Sequence, residues 1–308
     1  MRRSIRPVLP NSASTRRRPN VRSTCCARCT DGFFHDLKFW RRFMNTRATD
    51  ADILADIFGE AGYSTAFSIG ADELAFLRTA IFGQWIERIR AACPEHEHVF
   101  RDAGLEHYHR HAHLVAHSTL WQKESRVLPR ETAIKIREFD FVRRLTAMFG
   151  AGTRISDVVL FSGTVPDYPE IYWRLVRPDA TSDVGAMHTD RWFHRVQGQN
   201  GAELFGPDER TVKMWLSIHT EPGLNGLYVV PGSHKRTWRV EYVNGADGYP
   251  RPRLDEPLAE SERLLLPVVP GQAVLFGENL LHGGAVNAGS KSRVSVEMTF
   301  VFKRTGLL

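Results

Sequence analysis

One ordered set of residues in this 308-residue chain has types and spacing that could do chemistry: His188-Thr189-Asp190, then His282, then Arg293-Val294-Ser295. On a strand, alternate side chains share a face, so His188 and Asp190 would point one way and Thr189 the other. Two imidazoles and one carboxylate make up the facial ligand set of non-heme Fe(II), which leaves coordination positions open. An oxo-acid and O2 could occupy those positions together. Arg293 and Ser295 alternate on a second expected strand, so both can reach a further carboxylate of that oxo-acid. His-x-Asp alone arises often by chance. Followed by His and, eleven residues later, by Arg-x-Ser, it is far more specific.

Other candidates compete. His234 also follows the pair, but it sits in a Pro-Gly-Ser-His-Lys turn with no Arg-x-Ser after it, so we expect it to fix the chain. In the tract from His107 to His117, residues His109, His113 and His117 would share one face of a helix. Leu114 stands where a zinc protease carries its catalytic Glu. We therefore expect a solvated or substrate-side stretch there. Trp173 and Trp192 are expected in ordinary packing, and Asn287 is either a turn residue or a hydrogen-bond donor behind the metal. Arg174 and Arg177 could meet an acidic substrate or merely decorate the sheet.

The elements that must position these residues change texture along the chain. Apolar residues at helical spacing predict helices over Asp52–Phe58, Ala71–Ala92 and Ile134–Met148. Residues 44–150 are thus expected to be mostly helical. Short β-branched and aromatic runs then predict strands, among them Ile171–Val176, Gly185–Phe193 (carrying His-x-Asp), Val212–Ile218, Ala273–Phe276 and Ser292–Phe302. Asn225-Gly226 has the signature of a two-residue hairpin. Residues 195–210 and 241–261 look long and irregular. About eight short strands after a helical segment predict a mixed α/β chain with a mainly β core, a jelly roll over 151–303 with helices packed on one side.

Composition is that of an ordinary globular protein, 42% hydrophobic and 25% charged. No stretch approaches the roughly 20 apolar residues of a membrane span, so no membrane partner is expected. The net charge of +6 is concentrated at one end: residues 1–50 hold 12 Lys/Arg against three Asp, and the remainder holds 29 basic and 32 acidic residues. Residues 1–43 read as a solvated disordered tail, as an extension ahead of a start at Met44, or as an Arg/Ser-rich targeting segment. Residues 44–308 read as a single catalytic domain. Cys26-Ala27-Arg28-Cys29 has no second pair to complete a zinc site, and no disulfide framework is visible, so a cytoplasmic location is expected.

With these residues in view, the chain resembles the phytanoyl-CoA dioxygenase-like family of Fe(II)/2-oxoglutarate-dependent oxygenases. The resemblance runs over roughly 170–302. It rests on His188-Thr189-Asp190, Asn225-Gly226-Leu227, Val230-Pro231-Gly232-Ser233-His234-Lys235, Pro270 to Phe276, His282-Gly283, Asn287 and Arg293-Val294-Ser295. It implies a double-stranded β-helix (cupin-like jelly roll) holding Fe(II) at His188, Asp190 and His282. It also implies that Arg293, with Ser295, pairs with the C5 carboxylate of 2-oxoglutarate, and that Trp215 lines the co-substrate pocket. The implied activity is hydroxylation of a C–H bond of a small or medium-sized metabolite, using O2 and releasing succinate and CO2. Related halogenases carry a small residue where Asp190 stands, which favours hydroxylation here. The rival readings are a non-catalytic jelly-roll binding protein and a nucleic-acid-associated protein acting through the Arg-rich tail. Arg293 argues against the first, and the lack of a basic patch beyond the tail argues against the second.

Overall fold

The segment Arg293–Lys303 alternates over its first eight residues: Arg, Ser, Glu and Thr on one side, Val, Val, Met and Phe on the other. It becomes the central strand of the larger sheet, and its two faces divide the molecule. The structure is a computed structural model that describes residues 48–160, 163–198, 203–244 and 250–303. The basic tail and its Cys26/Cys29 pair lie outside the described residues.

Helices α1 (Asp50–Phe58), α2 (Ala71–Ala92), α3 (Glu97–Ala103), α4 (His117–Leu120), α5 (Arg130–Arg137) and α6 (Asp140–Phe149) precede most of the strands, and α7 (Asp190–Gln197) interrupts them. The strands run β1 (Tyr63–Ser68), β2 (Arg154–Ile155), β3 (Asp157–Leu160), β4 (Gly163–Pro169), β5 (Ile171–Val176), β6 (Glu209–His219) and β7 (Leu227–Val229). They continue as β8 (Val240–Asn244), β9 (Pro250–Leu254), β10 (Leu264–Leu265), β11 (Gln272–Gly277), β12 (His282–Gly284) and β13 (Arg293–Lys303).

The larger sheet has the order β1-β11-β6-β13-β2, with β5 also paired to the first half of β13; every pairing is antiparallel. One face, carrying Trp173, Leu175, Met214, Leu216, Val294, Val296 and Met298, packs under the helices in the main core. The smaller sheet, β10-β7-β12, lies against the other face. There Trp215, Val274 and Phe276 of the large sheet meet Leu227 and Val229 of the small one. Two facing antiparallel sheets with helices on the outer side of one make a jelly roll, as expected. The second cluster holds far fewer apolar residues than the first, because much of the inner face is given over to polar side chains.

Several expectations change. His188-Thr189-Asp190 is not a strand. His188 makes a single β-bridge to His282, Thr189 is the N-cap of α7, and Asp190 is its first residue. Asn225-Gly226 does not close a hairpin, because β6 and β7 belong to different sheets. It is a corner between them: the Asn225 side chain accepts from Glu221 N at 3.0 Å and donates to Asn287 Oδ1 at 2.9 Å. Gly226 has φ 143°, and a Cβ there would lie 3.2 Å from Leu266 O, so only glycine turns this corner freely.

The expected helix Ile134–Met148 is two helices, broken at Glu138-Phe139. Phe139 turns aside to pack edge-on against Phe76, and Glu73 of α2 accepts the Phe141 main-chain N–H at 3.1 Å, which caps the new helix. Part of the stretch 241–261 is a hairpin, β8 with β9. The helical half also contributes a strand the sequence pattern hid. β1 is short and rich in Ser and Thr, but it pairs with β11 some 200 residues later and buries Phe67 completely.

If β1 is an integral edge of the sheet, Phe67→Ala should lower unfolding free energy by about 3–5 kcal/mol in urea titration. Val269→Ala, at a position 51% exposed, should change it by no more than about 0.5 kcal/mol. Equal effects would contradict this role for β1.

Candidate metal centre

The site is built where the small sheet reaches α7. His282 pairs with Val229 on one side and bridges to His188 on the other, with both main-chain N–H···O bonds at 2.9 Å. The two rings therefore stand side by side, their centroids 4.4 Å apart. Each ring is oriented by its own backbone: His188 Nδ1 lies 2.8 Å from Ala186 O, and His282 Nδ1 lies 2.9 Å from Leu280 O. A carbonyl only accepts, so Nδ1 carries the proton on both rings and each Nε2 keeps a free lone pair. Phe193 and Phe276 pack against the two rings from outside.

Asp190 reaches the same place from the first turn of α7. Its Oδ1 is 3.8 Å from His282 Nε2, and one ligand atom from each of His188, Asp190 and His282 lies within 4.8 Å of the others. Among the described residues no other group of three His, Cys, Asp or Glu comes together this way. The helix start places the carboxylate where the α7 dipole favours negative charge. Glu278, on the turn before β12, fixes α7: its main-chain O accepts Arg191 N at 2.9 Å, its carboxylate accepts the Arg191 guanidinium at 2.8 Å, and Thr211 donates to it at 3.0 Å. Thus one residue braces the helix carrying Asp190 against the strand carrying His282.

The electrostatics are unusual for so buried a place. Burial pushes the Asp190 carboxyl up, but Lys213 and the surrounding imidazoles bring it down to about 2. Lys213 Nζ stands 3.8 Å from Asp190 Oδ2. Burial would push that ammonium down, yet Asp190, Tyr172 and Glu297 hold it above its ordinary range. Burial takes His188 down to about 3, and lowers His194 and His282 as well. The rings are therefore neutral at pH 7, as metal ligands must be. Beside them, Arg174 donates to Glu297 at 2.5 Å and to the Tyr172 hydroxyl at 3.0 Å, while Tyr172 also donates to Glu297.

Arg293 lies on the same face of β13 as Ser295 and Glu297, and is 1% exposed. Its Nη1 donates to Gly226 O at 2.9 Å, the carbonyl of the Asn-Gly corner, and its guanidinium carbon is 5.5 Å from the centre of the Trp215 ring. Burial lowers its pKa to about 10, so it stays charged at neutral pH. Arg293 Nε and Ser295 Oγ are both buried and, among the described residues, have no hydrogen-bond partner. Unmatched donors of this kind are rare because each costs free energy, and a carboxylate would satisfy both. One cleft is lined by His188, His282, Trp215, Leu227, Phe276 and Arg293, with Arg174, Asp183 and Glu297 also on its wall.

Of the six residues singled out by sequence, His188, His282, Trp215 and Arg293 line this cleft, Ser295 lies on the strand face behind it, and Asp190 joins the two imidazoles from α7. His234 is elsewhere: its Nε2 is 3.0 Å from Gly59 O, so it fixes the chain to the end of α1. Asn287 is a structural clamp, donating to Val176 O at 3.0 Å and Lys291 O at 2.7 Å. The His tract folds as two short 3-10 turns followed by the start of α4 rather than as one helix, so His109, His113 and His117 sit on three different elements. Lys213, Glu278 and Glu297 escaped the sequence reading, and Arg174, left there between an acidic substrate and mere decoration of the sheet, is paired with Glu297. The signal available for Lys213 and Glu297 was a charged residue on the polar phase of an otherwise buried strand.

The model of the family described as phytanoyl-CoA dioxygenase (PhyH) matches residues 84–295. The chain belongs to this family. PhyH enzymes depend on Fe(II) and 2-oxoglutarate, and the donor set and the unmatched Arg293/Ser295 pair fit both. Similar solved structures include ThoJ, a non-heme monooxygenase in its apo form, at 13% identity over 81% of this chain and 79% of that one, TM-score 0.49. AviO1 from Streptomyces viridochromogenes Tue57 is 13% identical over 83% and 96%, TM-score 0.47. SnoN, a non-heme alpha-ketoglutarate-dependent epimerase from nogalamycin biosynthesis, is 15% identical over 83% and 86%, TM-score 0.42. No match was found among curated proteins. Among the described residues no helix is long and apolar enough to cross a membrane.

The pH dependence of the metal-free protein follows from the buried imidazoles. An unfolded His titrates near 6.5, and His188 titrates at about 3 when folded, so folding resists protonation. That contribution is complete above about pH 6.5 and is lost as pH falls towards about 3. Thermal melts of metal-free protein should show Tm falling steadily over this window. A flat profile between neutral pH and about pH 5 would mean these rings are not buried as described.

Proposed function

We propose that this chain is an Fe(II)- and 2-oxoglutarate-dependent dioxygenase that hydroxylates a C–H bond of a small or medium-sized metabolite, with residues 44–308 as the catalytic unit. In this reading His188, Asp190 and His282 hold the metal, and Arg293, Ser295 and Trp215 hold the co-substrate. The observation that carries it is the convergence of three ligand atoms beside two buried, unmatched donors. Neither feature alone asks for both a metal and a carboxylate.

When bound, Fe(II) with 2-oxoglutarate and O2 supplies an oxidant strong enough for an unactivated C–H bond, with succinate and CO2 released. The protein supplies orientation. His188 and His282 present Nε2 because their Nδ1 protons are held by backbone carbonyls. Asp190 contributes a carboxylate that stays ionised even when buried, because Lys213 faces it. A carboxylate here fills the position that a halogenating enzyme leaves open, which supports hydroxylation. Arg293 offers a planar fork held by Gly226 O, and its remaining N–H groups set where the distal carboxylate rests. Trp215, Leu227 and Phe276 keep water from the walls between metal and anchor.

Substitution separates these roles. His188→Ala and His282→Ala should each abolish iron retention after dialysis. Asp190→Gly should reduce product formation sharply. Arg293→Ala should retain iron yet raise the KM for 2-oxoglutarate roughly 100-fold or more, read as succinate release. Unchanged 2-oxoglutarate dependence in Arg293→Ala would remove the anchor assignment, and normal turnover in Asp190→Gly would remove Asp190 from the ligand set.

A further inference from the structure

A second cavity, of about 360 Å³, lies on the opposite side of the large sheet from the metal cleft. That volume falls within the range of small-molecule pockets, roughly 300–1,000 Å³. It is a half-open pocket bordered by α2, by the end of α3 and the 3-10 turn Leu105–Arg110, and by the end of β6. Ile218 borders it from the helix-facing side of β6, whereas Trp215 faces the metal cleft, so the strand separates the two spaces.

The lining has two parts. Ile81, Phe82, Leu105 and Ile218 supply an apolar wall. At the polar end stands Arg78, which uses Nε and Nη2 to hold Ile218 O at 3.3 and 2.9 Å and, among the described residues, has no carboxylate partner. His107 also borders the cavity, and its Nδ1 is shielded from solvent and, among the described residues, has no hydrogen-bond partner. Glu106 also borders the cavity, but Lys291 pairs with its carboxylate at 3.0 Å; His219, 3.6 Å from it, is lowered by burial to about 4 and stays neutral. What is left over is one guanidinium with spare N–H groups and one orphaned imidazole nitrogen. That remainder matches an acid, and the wall matches a hydrocarbon or aromatic body.

We propose that this cavity is a second ligand site, for a small amphipathic carboxylate whose acid group meets Arg78 and His107. The site has a route to the catalytic strand. The main-chain O of Glu106 accepts Ser292 N at 2.7 Å, and Ser292 Oγ meets His109, so the cavity's floor is fastened to the residue before Arg293.

The test uses the full chain loaded with Fe(II) and saturating 2-oxoglutarate under anaerobic conditions, so that the metal cleft is filled and turnover is off. Octanoate and 4-phenylbutanoate are titrated calorimetrically, with octan-1-ol as the uncharged control and acetate as the control without an apolar body. Binding of at least one acid at millimolar concentration or below is expected, weakened about tenfold or more in Arg78→Gln. Ala103→Leu, which fills the cavity without removing a hydrogen bond, should abolish it while leaving Arg78 in place. The proposal is overturned if neither acid binds, or if octan-1-ol binds as tightly as octanoate. Binding that both variants leave unchanged, or that appears only when 2-oxoglutarate is omitted, would place the acids elsewhere and overturn it equally.

Discussion

Two main-chain hydrogen bonds between His188 and His282 hold this site together. The residues are 94 apart in sequence, and their side chains alone would not bring them side by side. The backbone bridge does so, and it fixes the consequences that follow. Once His188 is pinned, the chain has one residue, Thr189, in which to turn and begin a helix, so Asp190 enters at the helix start. Each ring then finds a carbonyl two residues back for its Nδ1 proton. Glu278 completes the frame by tying α7 to the turn ahead of β12. The lone pairs converge because the backbone leaves them nowhere else to point.

The second constraint is electrostatic. The inner face of the large sheet carries three cations, the buried Arg293 and the partly buried Arg174 and Lys213, and one buried carboxylate, Glu297; Asp190 adds the other carboxylate from α7. Buried ions are tolerated only when paired and hydrogen-bonded. Arg174 is matched by Glu297 and Lys213 by Asp190, which among the described residues leaves Arg293 with no carboxylate. A divalent metal and a doubly charged co-substrate together add no net charge, so this face accepts the pair at lower electrostatic cost than either alone. The other face of the same strands carries almost only apolar side chains and is what stabilises the sheet. Alternation along the first eight residues of β13 lets one strand serve both ends.

The parts of this arrangement visible in the sequence were those encoded by residue type at short range. Arg-x-Ser on a strand, the long helix Ala71–Ala92 and the strand Ile171–Val176 follow directly from local periodicity. The identities of His188, Asp190 and His282 could be read as well, but their local structure could not. A run from Gly185 to Phe193 looks like a strand until the bridge to His282 stops it after one residue, and that partner lies far downstream. β1 was hidden for the same reason: a short Ser/Thr-rich segment becomes a strand only because β11 offers it an edge. Asn-Gly signals a turn correctly, yet what the turn joins depends on which sheet each flanking strand enters. Lys213 and Glu278 are ordinary charged residues in sequence, and their roles exist only once Asp190 and α7 are placed.

The most direct test of the account is an anaerobic crystal structure of the protein soaked with Fe(II) and 2-oxoglutarate. The account predicts one metal ion bound by His188 Nε2, His282 Nε2 and an Asp190 oxygen, with the distal carboxylate of 2-oxoglutarate on Arg293 and Ser295. Metal bound away from that trio, or the distal carboxylate seated on Arg174 with Arg293 still unmatched, would contradict it.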